Sequence, residues 1–492
     1  MIPFHQIPQN IRVPLFYAEV DNSQANTAQT TQRALVIAQI TKDGTAPPNV
    51  PAVSQGSDDA ILAGGAGSML ALMLAKYRAN DAFGEVWYLP LADDPNASTA
   101  IGNVTITTPP TAAGTLYLYI AGTRIALPVL PTQAVSDIAM ALAATIDATP
   151  GIPVIVVVSG GVLTFAARNA GPCGNEIDLR LNYLGTPGGE VLPAGLGVTV
   201  TPMAGGAVAP SLTAALDALA DAPFDFIVCP YTDTASLDAL KVFLDDVNGR
   251  WSWQHMLYGH TFAAARGTLG SLIATGTARN DQHGTLMGFN DSPTPAWLWA
   301  TAIAGASAVS LRADPATPLQ TLPLQGVLPP PVPSRFALSD RNALLYDGIS
   351  TFTVADDGTV AIENLISTYQ KNAFGQPDDS YLEVETLFTL AAVLRHLKAV
   401  VTSRYARVKL ADDGTRFASG SNVVTPNIIR ADLIAAYQED EANGLVQNSA
   451  VFAQGLIVQR NSGNPNRVDV LWPGVLIDQL RIFALLAQFR LS

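Results

Sequence analysis

Charge is what this sequence has least of. Only 14% of its residues are Asp, Glu, Lys or Arg, with 5 His and 2 Cys, against about a quarter charged in an ordinary soluble domain. So thin a supply of ionisable groups leaves little for acid–base, metal or covalent chemistry. The motifs of such chemistry are missing too: there is no phosphate-cradling glycine loop with its Lys, no G-x-S-x-G, no H-E-x-x-H and no C-x-x-C. A net charge of -14 without an extended Lys/Arg cluster argues against direct contact with nucleic acid. The cysteines, Cys173 and Cys229, are too few and too far apart for a disulfide framework or a metal knuckle and are expected as buried thiols. The opening MIPFHQIPQNIRVPLF has neither the basic region nor the apolar core of a signal peptide. Apolar runs such as 296–311 are too short to span a bilayer. A soluble, unsecreted product without stable membrane insertion is expected.

The few candidate sites read as ordinary structure. AGGAGS (63–68) precedes a helix and could in principle attract an anion, yet no strand leads into it and no Lys stands nearby, so a plain loop-to-helix junction is expected. His255 and His260 are five apart, a spacing that aims them at no common metal on helix or strand. Asp245 and Asp246 end a helix as solvated surface. Asp281 and His283 could form an acid–base couple, but a surface turn is expected of RNDQHG. No catalytic, cofactor or metal site is predicted.

What the chain does have is apolar mass and turn formers: 48% apolar residues, 39 Gly and 34 Pro in 492 residues. That length implies two to four domains, with a surface made of Ala, Thr, Ser, Asn and Gln. Such a surface repels itself weakly and suits a protein packed against its own copies.

Residues 1–12 read as an extended lead-in. VPLFYAEV (13–20) is a short strand cut off from the body by DNSQANTAQTT, which makes it an arm able to pair elsewhere. QRALVIAQI (32–40), a helix at 68–79 capped by Ser68, and EVWYLPL (85–91) form a strand–helix–strand opening. From 104 to about 210 the text turns β-rich. Strands are predicted at 104–108, 115–122, 123–129, 153–160, 161–169 and 197–203, with hairpins joining the second to the third and the fourth to the fifth, and one helix at 135–149. The α/β beat then resumes: helix 211–220, strand 224–229, helix 234–248, a strand around 255–259, helix 263–275, strand 286–289 and helix 295–312. A proline-rich crossover, 317–338, is expected to clamp a surface without regular structure. Beyond it stand a helix end in DRNALLYDG, a hairpin turning at Asp356–Gly358, a long helical stretch within 380–410, a helix at 425–444 with Thr425 as cap and Pro426 first, and a strand in VQNSAVFAQGLIVQRN.

Two stretches stand out. Residues 481–491 are apolar on both sides of a period-two reading, with Ile482, Ala484 and Leu486 on one face and Phe483, Leu485, Ala487 and Phe489 on the other. A terminus this apolar has to be tied down, and a central core strand, an element exchanged between subunits and a helix all fit. RHLKAVVTSRYARVKL is the one basic concentration: Arg395, Lys398 and residue 402 are read on one helical face with Arg404 and Arg407 roughly alongside. Solvated face, docking surface for an acidic partner and pairing between subunits are its readings.

In this order the parts resemble the tail sheath proteins of contractile-tailed bacteriophages, of the Mu-like group. RVPLFYAEVDNSQA followed by QRALVIAQ, TPAWLWATAIAGASAVSLRADPATPLQTLPLQGVLPP and RVDVLWPGVLIDQLRIFALLAQFRL carry the likeness. The resemblance implies a non-enzymatic subunit without cofactor that polymerises as six-fold rings or a six-start helix around a tail tube protein, with baseplate and tail terminator proteins as further partners. It implies location in the virion tail and assembly in the host cytoplasm. It also implies a multidomain α/β and α+β fold: an arm and linker (1–31), an α/β domain with an open helix-covered sheet (32–95 and 211–338), an inserted outward-facing β-rich domain (96–210), a tube-facing α+β domain (339–480) and an exchanged strand (481–492). The exchanged strands map to Val13, Leu15, Phe16, Tyr17 and Val20 at one end and Ile482, Phe483, Leu485, Leu486 and Phe489 at the other. Apart from the resemblance, the basic concentration itself suggests Arg395, Lys398, Arg404 and Arg407 for docking to the tube or to another subunit. Another self-assembling virion or surface-layer protein is the alternative, and an α/β enzyme a more distant one.

Overall fold

The computed structural model describes residues 32–490; the arm residues 13–20 lie outside that range. The described residues open on β1 (Ala34–Gln39), whose six residues are all buried, so both faces of its alternation are covered. β2 (Ala52–Val53), α1 (Ser57–Gly64), α2 (Met69–Asn80) and β3 (Val86–Leu91) follow. The Ser68 side chain accepts from Ala71 N and caps α2 as predicted.

The β-rich stretch then runs β4 (Ile101–Thr108), β5 (Gly114–Ile120), β6 (Thr123–Val129), α3 (Val135–Asp147), β7 (Val154–Ser159), β8 (Val162–Ala167), β9 (Leu179–Leu181) and β10 (Gly197–Ala204). It makes a four-stranded sheet β10-β4-β8-β7 and a three-stranded sheet β6-β5-β9. Both predicted hairpins are present as antiparallel pairs. Gly122 (φ 82°) and Gly160 (φ 61°) hold the left-handed positions that such tight turns require. These elements enclose an apolar cluster of their own, from Ala100 to Met203.

The chain returns through α4 (Thr213–Asp217), β11 (Phe226–Val228), α5 (Thr234–Leu244), β12 (His260–Arg266), α6 (Leu269–Thr277), β13 (Gly284–Phe289) and α7 (Ala296–Ala313). β11 pairs in parallel with β1, and the six-stranded sheet reads β13-β12-β11-β1-β3-β2, parallel except at β2. α7 is apolar around its whole circumference and buried along nearly all of its length, as a helix inside a core must be. Trp299 on it stacks on Phe289 at 4.7 Å.

The proline-rich segment straps α8 (Leu338–Tyr346) and the hairpin β14 (Thr351–Val354)–β15 (Val360–Asn364) to this core. Leu319 and Leu324 are buried, and Thr321 N and Leu324 N donate to carbonyls of β15. The hairpin turns at Gly358, φ 87°. α9 (Val384–Tyr405) begins in the large core and ends in a separate cluster that it shares with β16 (Lys409–Leu410), β17 (Val423–Val424), α10 (Pro426–Ala442), β18 (Val446–Gln447), α11 (Ser449–Gly455), β19 (Ile457–Arg460), β20 (Val468–Leu471) and β21 (Val475–Leu476).

Five expectations are corrected. The strand placed at 255–259 and the helix at 263–275 are instead β12, five residues later, and α6. Ala263, Ala264 and Ala265 favour helix intrinsically, but between β11 and β13 they are strand, their small side chains lying in the core. The helix expected over 211–220 shrinks to α4. The single strand expected at 446–461 is broken by α11, entered through Asn448 at φ 63° with Ser449 N donating to Glu441 Oε1 at 2.9 Å. Asp281 and His283 are buried rather than at a surface turn.

Candidate assembly interface

An open α/β sheet presents a crevice beyond its strand C-termini where the strand order reverses, and ligands ordinarily sit there. Here that point lies between β1 and β11, and the chain fills it with its own segment 169–176. Gln39, at the end of β1, donates to Ala170 O at 2.7 Å and Asp93 Oδ1 at 2.6 Å. Ala170 N donates to Asp93 Oδ2 at 2.8 Å. Asn169 donates to Ile40 O and accepts from Met69 N, both at 2.9 Å. Arg266, closing β12, reaches Glu176 at 2.8 Å. Both cysteines are buried free thiols; burial pushes Cys173 up and Cys229 to about 12. Because Ser68 and Asn169 take N–H groups at the head of α2, the glycine cluster is a loop-to-helix junction.

The histidines do not converge. His255 faces Asp221 at 3.5 Å, while buried His260 shares a hydrogen bond with Thr285 at 2.8 Å, and burial lowers its pKa to about 3. Asp281 accepts from the backbone N of His283, whose ring instead meets Asp246 at 2.7 Å, so the two side chains form no acid–base couple. Burial pushes the Asp246 carboxyl up, but the His283 and Gln282 hydrogen bonds outweigh it and hold it below the ordinary range. Among the described residues no group of His, Cys, Asp or Glu has metal-binding geometry.

The basic concentration divides along α9. Arg395 pairs with Asp225, a carboxylate just before β11 that is only 4% exposed. Arg404 pairs with Asp432 of α10 at 2.6 Å. Nine residues at about 100° each place these two arginines on opposite sides of the helix, and Arg407 lies beyond its end, so the shared face expected of them does not exist. His396, between them, meets Asp440 at 2.6 Å and Glu439 at 3.7 Å. Lys398 and Arg407 are exposed.

After β21 the described residues, 477–490, take no regular secondary structure. Ile482, Phe483, Leu485, Leu486 and Phe489 are 77–84% exposed, which rules out the core-strand reading, and no helix forms over the described residues up to 490. A run of large apolar side chains left in water makes this segment a candidate contact surface. Among the described residues, a two-stranded ribbon, β19–β20, leaves an open edge on each strand and exposes Ile457, Val470 and Leu471. Sequence reasoning did not pair these two strands, although the β-branched runs in GLIVQR and RVDVLW carry the signal.

Comparison with known proteins bears on these features. The family profile described as the phage tail sheath protein central domain matches residues 205–368, and that of the phage tail sheath C-terminal domain matches residues 376–490. The Mu-like prophage FluMu tail sheath protein of Haemophilus influenzae is 39% identical over 492 residues, covering 100% of both chains. Sheath tail proteins of Desulfitobacterium hafniense and Listeria innocua align over 95% and 93% of this chain and 97% and 94% of their own, at 13% and 11% identity and TM-scores of 0.49 and 0.48. On the whole-length identity and the two profiles, the chain belongs to the phage tail sheath protein family.

Proposed function

We propose that the protein is the structural subunit of a contractile tail sheath: its copies polymerise around the tail tube, and their contraction drives the tube through the host envelope for genome delivery. The full-length relationship to a tail sheath protein carries this reading, and the exposed apolar segment at 482–489 supplies its physical counterpart. Mixed helices and sheets make the scaffold. The working division is an arm and linker at 1–31, an α/β unit at 32–95 and 211–338, an inserted outward-facing unit at 96–210, a tube-facing unit at 339–480 and an exchanged strand at 481–492.

In this reading Val13, Leu15, Phe16, Tyr17 and Val20 of one neighbour and Ile482, Phe483, Leu485, Leu486 and Phe489 of another add as strands to the β19–β20 ribbon. Backbone hydrogen bonds supply the affinity and alternate side chains the register. Such joints keep subunits connected while side-chain interfaces are exchanged during contraction, with no nucleotide or other cofactor. Lys398, Arg404 and Arg407 supply tube contacts in an otherwise acidic chain, whereas Arg395, engaged with Asp225, holds the helix that presents the first two. Assembly takes place in the host cytoplasm and ends in the virion tail, bounded by baseplate and terminator proteins.

Negative-stain microscopy of the purified chain tests the reading: hollow cylinders with six-fold rings are expected, and flat sheets or closed shells would overturn it in favour of a layer or capsid protein. Deleting residues 481–492 should leave a soluble monomer; cylinders as long as those of the parent would remove strand exchange from the account. Arg404→Glu with Arg407→Glu should impair assembly on tubes while leaving the subunit folded.

A further inference from the structure

The C-terminal segment passes from held to free at a single residue. Upstream, β21 pairs with β18, and Ile477 N donates to Leu445 O at 3.1 Å. Downstream, Ile482 is already 83% exposed. In between, Asp478 accepts from Gln447 at 3.0 Å and Leu480 O from Gln320 at 3.4 Å, both at the surface. Arg481 is different: its side chain is only 16% exposed, and its Nη2 lies 2.9 Å from Glu383 Oε2 and 2.7 Å from Glu385 Oε2. Glu385 is fully buried and fixed in turn, since its Oε1 accepts from Leu319 N at 2.6 Å and it lies in the first turn of α9, where the helix dipole favours a carboxylate.

We propose that Arg481 is the releasable root of the exchanged strand: closed on Glu383 and Glu385 it starts the free arm at residue 482, and opened it starts the arm at residue 478. This inference rests on the strand-exchange reading above. The freed residues 478–481 add ~14 Å of reach at about 3.3–3.6 Å per extended residue. A lattice whose subunits change spacing while their arms stay threaded needs either slack or slippage of the exchanged strand. Slippage by one residue would exchange the strand's two faces, setting Phe483, Leu485 and Phe489 where Ile482, Ala484 and Leu486 pack, and would break its ladder hydrogen bonds in passing. Slack at the root costs no register.

The chemistry of the clasp suits opening. Its contacts are close in distance but not aligned as hydrogen bonds: Nε, Nη1 and Nη2 of Arg481 and Oε2 of both glutamates are buried without an aligned partner. The attraction is therefore Coulombic, and an incompletely hydrogen-bonded buried pair recovers little of its desolvation cost. Two carboxylates also share one guanidinium. Burial pushes the Glu383 carboxyl up and Glu385 adds to this, with Arg481 opposing. Closure still holds the resting subunit, because opening leaves the buried Glu385 without a countercharge.

Two measurements on the full chain test the proposal. In dissociated subunits, Arg481→Ala should raise the rate of subtilisin cleavage within residues 478–481 on the order of tenfold, with the β18–β21 pairing and both large cores unchanged; Arg481→Lys, which keeps the charge, should restore much of the resistance. Unchanged cleavage in Arg481→Ala would overturn the clasp. In tails carrying Glu383→Cys with Arg481→Cys, a short bis-maleimide should close the root covalently, the native thiols being buried. The cross-linked sheath should assemble to the extended length and stop short on contraction, while the same variant without cross-linker contracts fully. Full contraction of the cross-linked sheath would sink the slack mechanism. Failure of strand exchange itself would show separately, as normal assembly of the 481–492 deletion.

Discussion

Phe226, Phe388, Asp225 and Arg395 mark the seam where the C-terminal helices meet the sheet. The two rings stack at 5.1 Å, and the Arg395 guanidinium lies 5.5 Å from the centre of the Tyr258 ring while pairing with Asp225. Burial raises the Asp225 carboxyl and Arg395 opposes that rise. Removing the arginine strands a carboxylate in the core, so Arg395→Ala should cost about 3–5 kcal/mol. Exposed Arg407→Ala should cost less than about 0.5 kcal/mol. Urea unfolding of the dissociated subunit separates them, and equal effects would erase the distinction between a residue that holds α9 and one that offers charge. Asp225→Asn in the Arg395→Ala background should recover part of the loss, as coupled partners do. At this scale the sequence was least legible. It displayed a cluster of basic residues, but Asp225 and Asp440 are remote along the chain, and helical periodicity reports only a residue's own neighbours. For the same reason the glutamates that hold Arg481 could not be read from the apolar pattern around it, although that pattern did mark the arm.

Among the elements, those whose own composition demanded burial were legible. β1 has no polar position before Gln39, and α7 is apolar on every side, so each could only be interior. The misses came where neighbours overruled local preference, as in β12, or where a side chain restarted a helix, as Glu441 does for α11. The α9–α10 contact yields a pH prediction. The Asp440 hydrogen bond and the charges of Asp440 and Glu439 raise the His396 pKa against the opposing effect of burial. A histidine raised above its unfolded value of about 6.5 contributes fully below that pH and loses its contribution as pH climbs through the raised value. Amide exchange of α10 should therefore speed up as pH rises across that window, after correction for intrinsic exchange, and His396→Gln should remove the dependence. A His396→Gln subunit with the parent's pH profile would assign the effect to another group.

For the whole molecule, the question is what the β-rich insertion does for the sheet it interrupts. Its strands close around their own cluster, and of the residues between Ala100 and Met203 only Cys173 joins the large core. The insertion therefore encloses an apolar cluster of its own, yet its internal loop after β8 supplies the partners of Gln39, Ile40, Met69 and Asp93 at the open end of the sheet. Replacing residues 96–210 with a short flexible linker should leave the α/β core folded but destabilised, since each buried polar group deprived of its partner costs about 1–3 kcal/mol. It should also uncover the crevice, so that Cys229, buried in the intact chain, reacts with a thiol reagent in the excised protein. Asn169→Ala in the intact chain should show the stability loss without the reactivity, because the rest of the segment still covers the thiol. If excision left Cys229 as protected as before, the crevice would be closed by the sheet's own loops, and the insertion would be an appendage rather than the stopper of its parent unit.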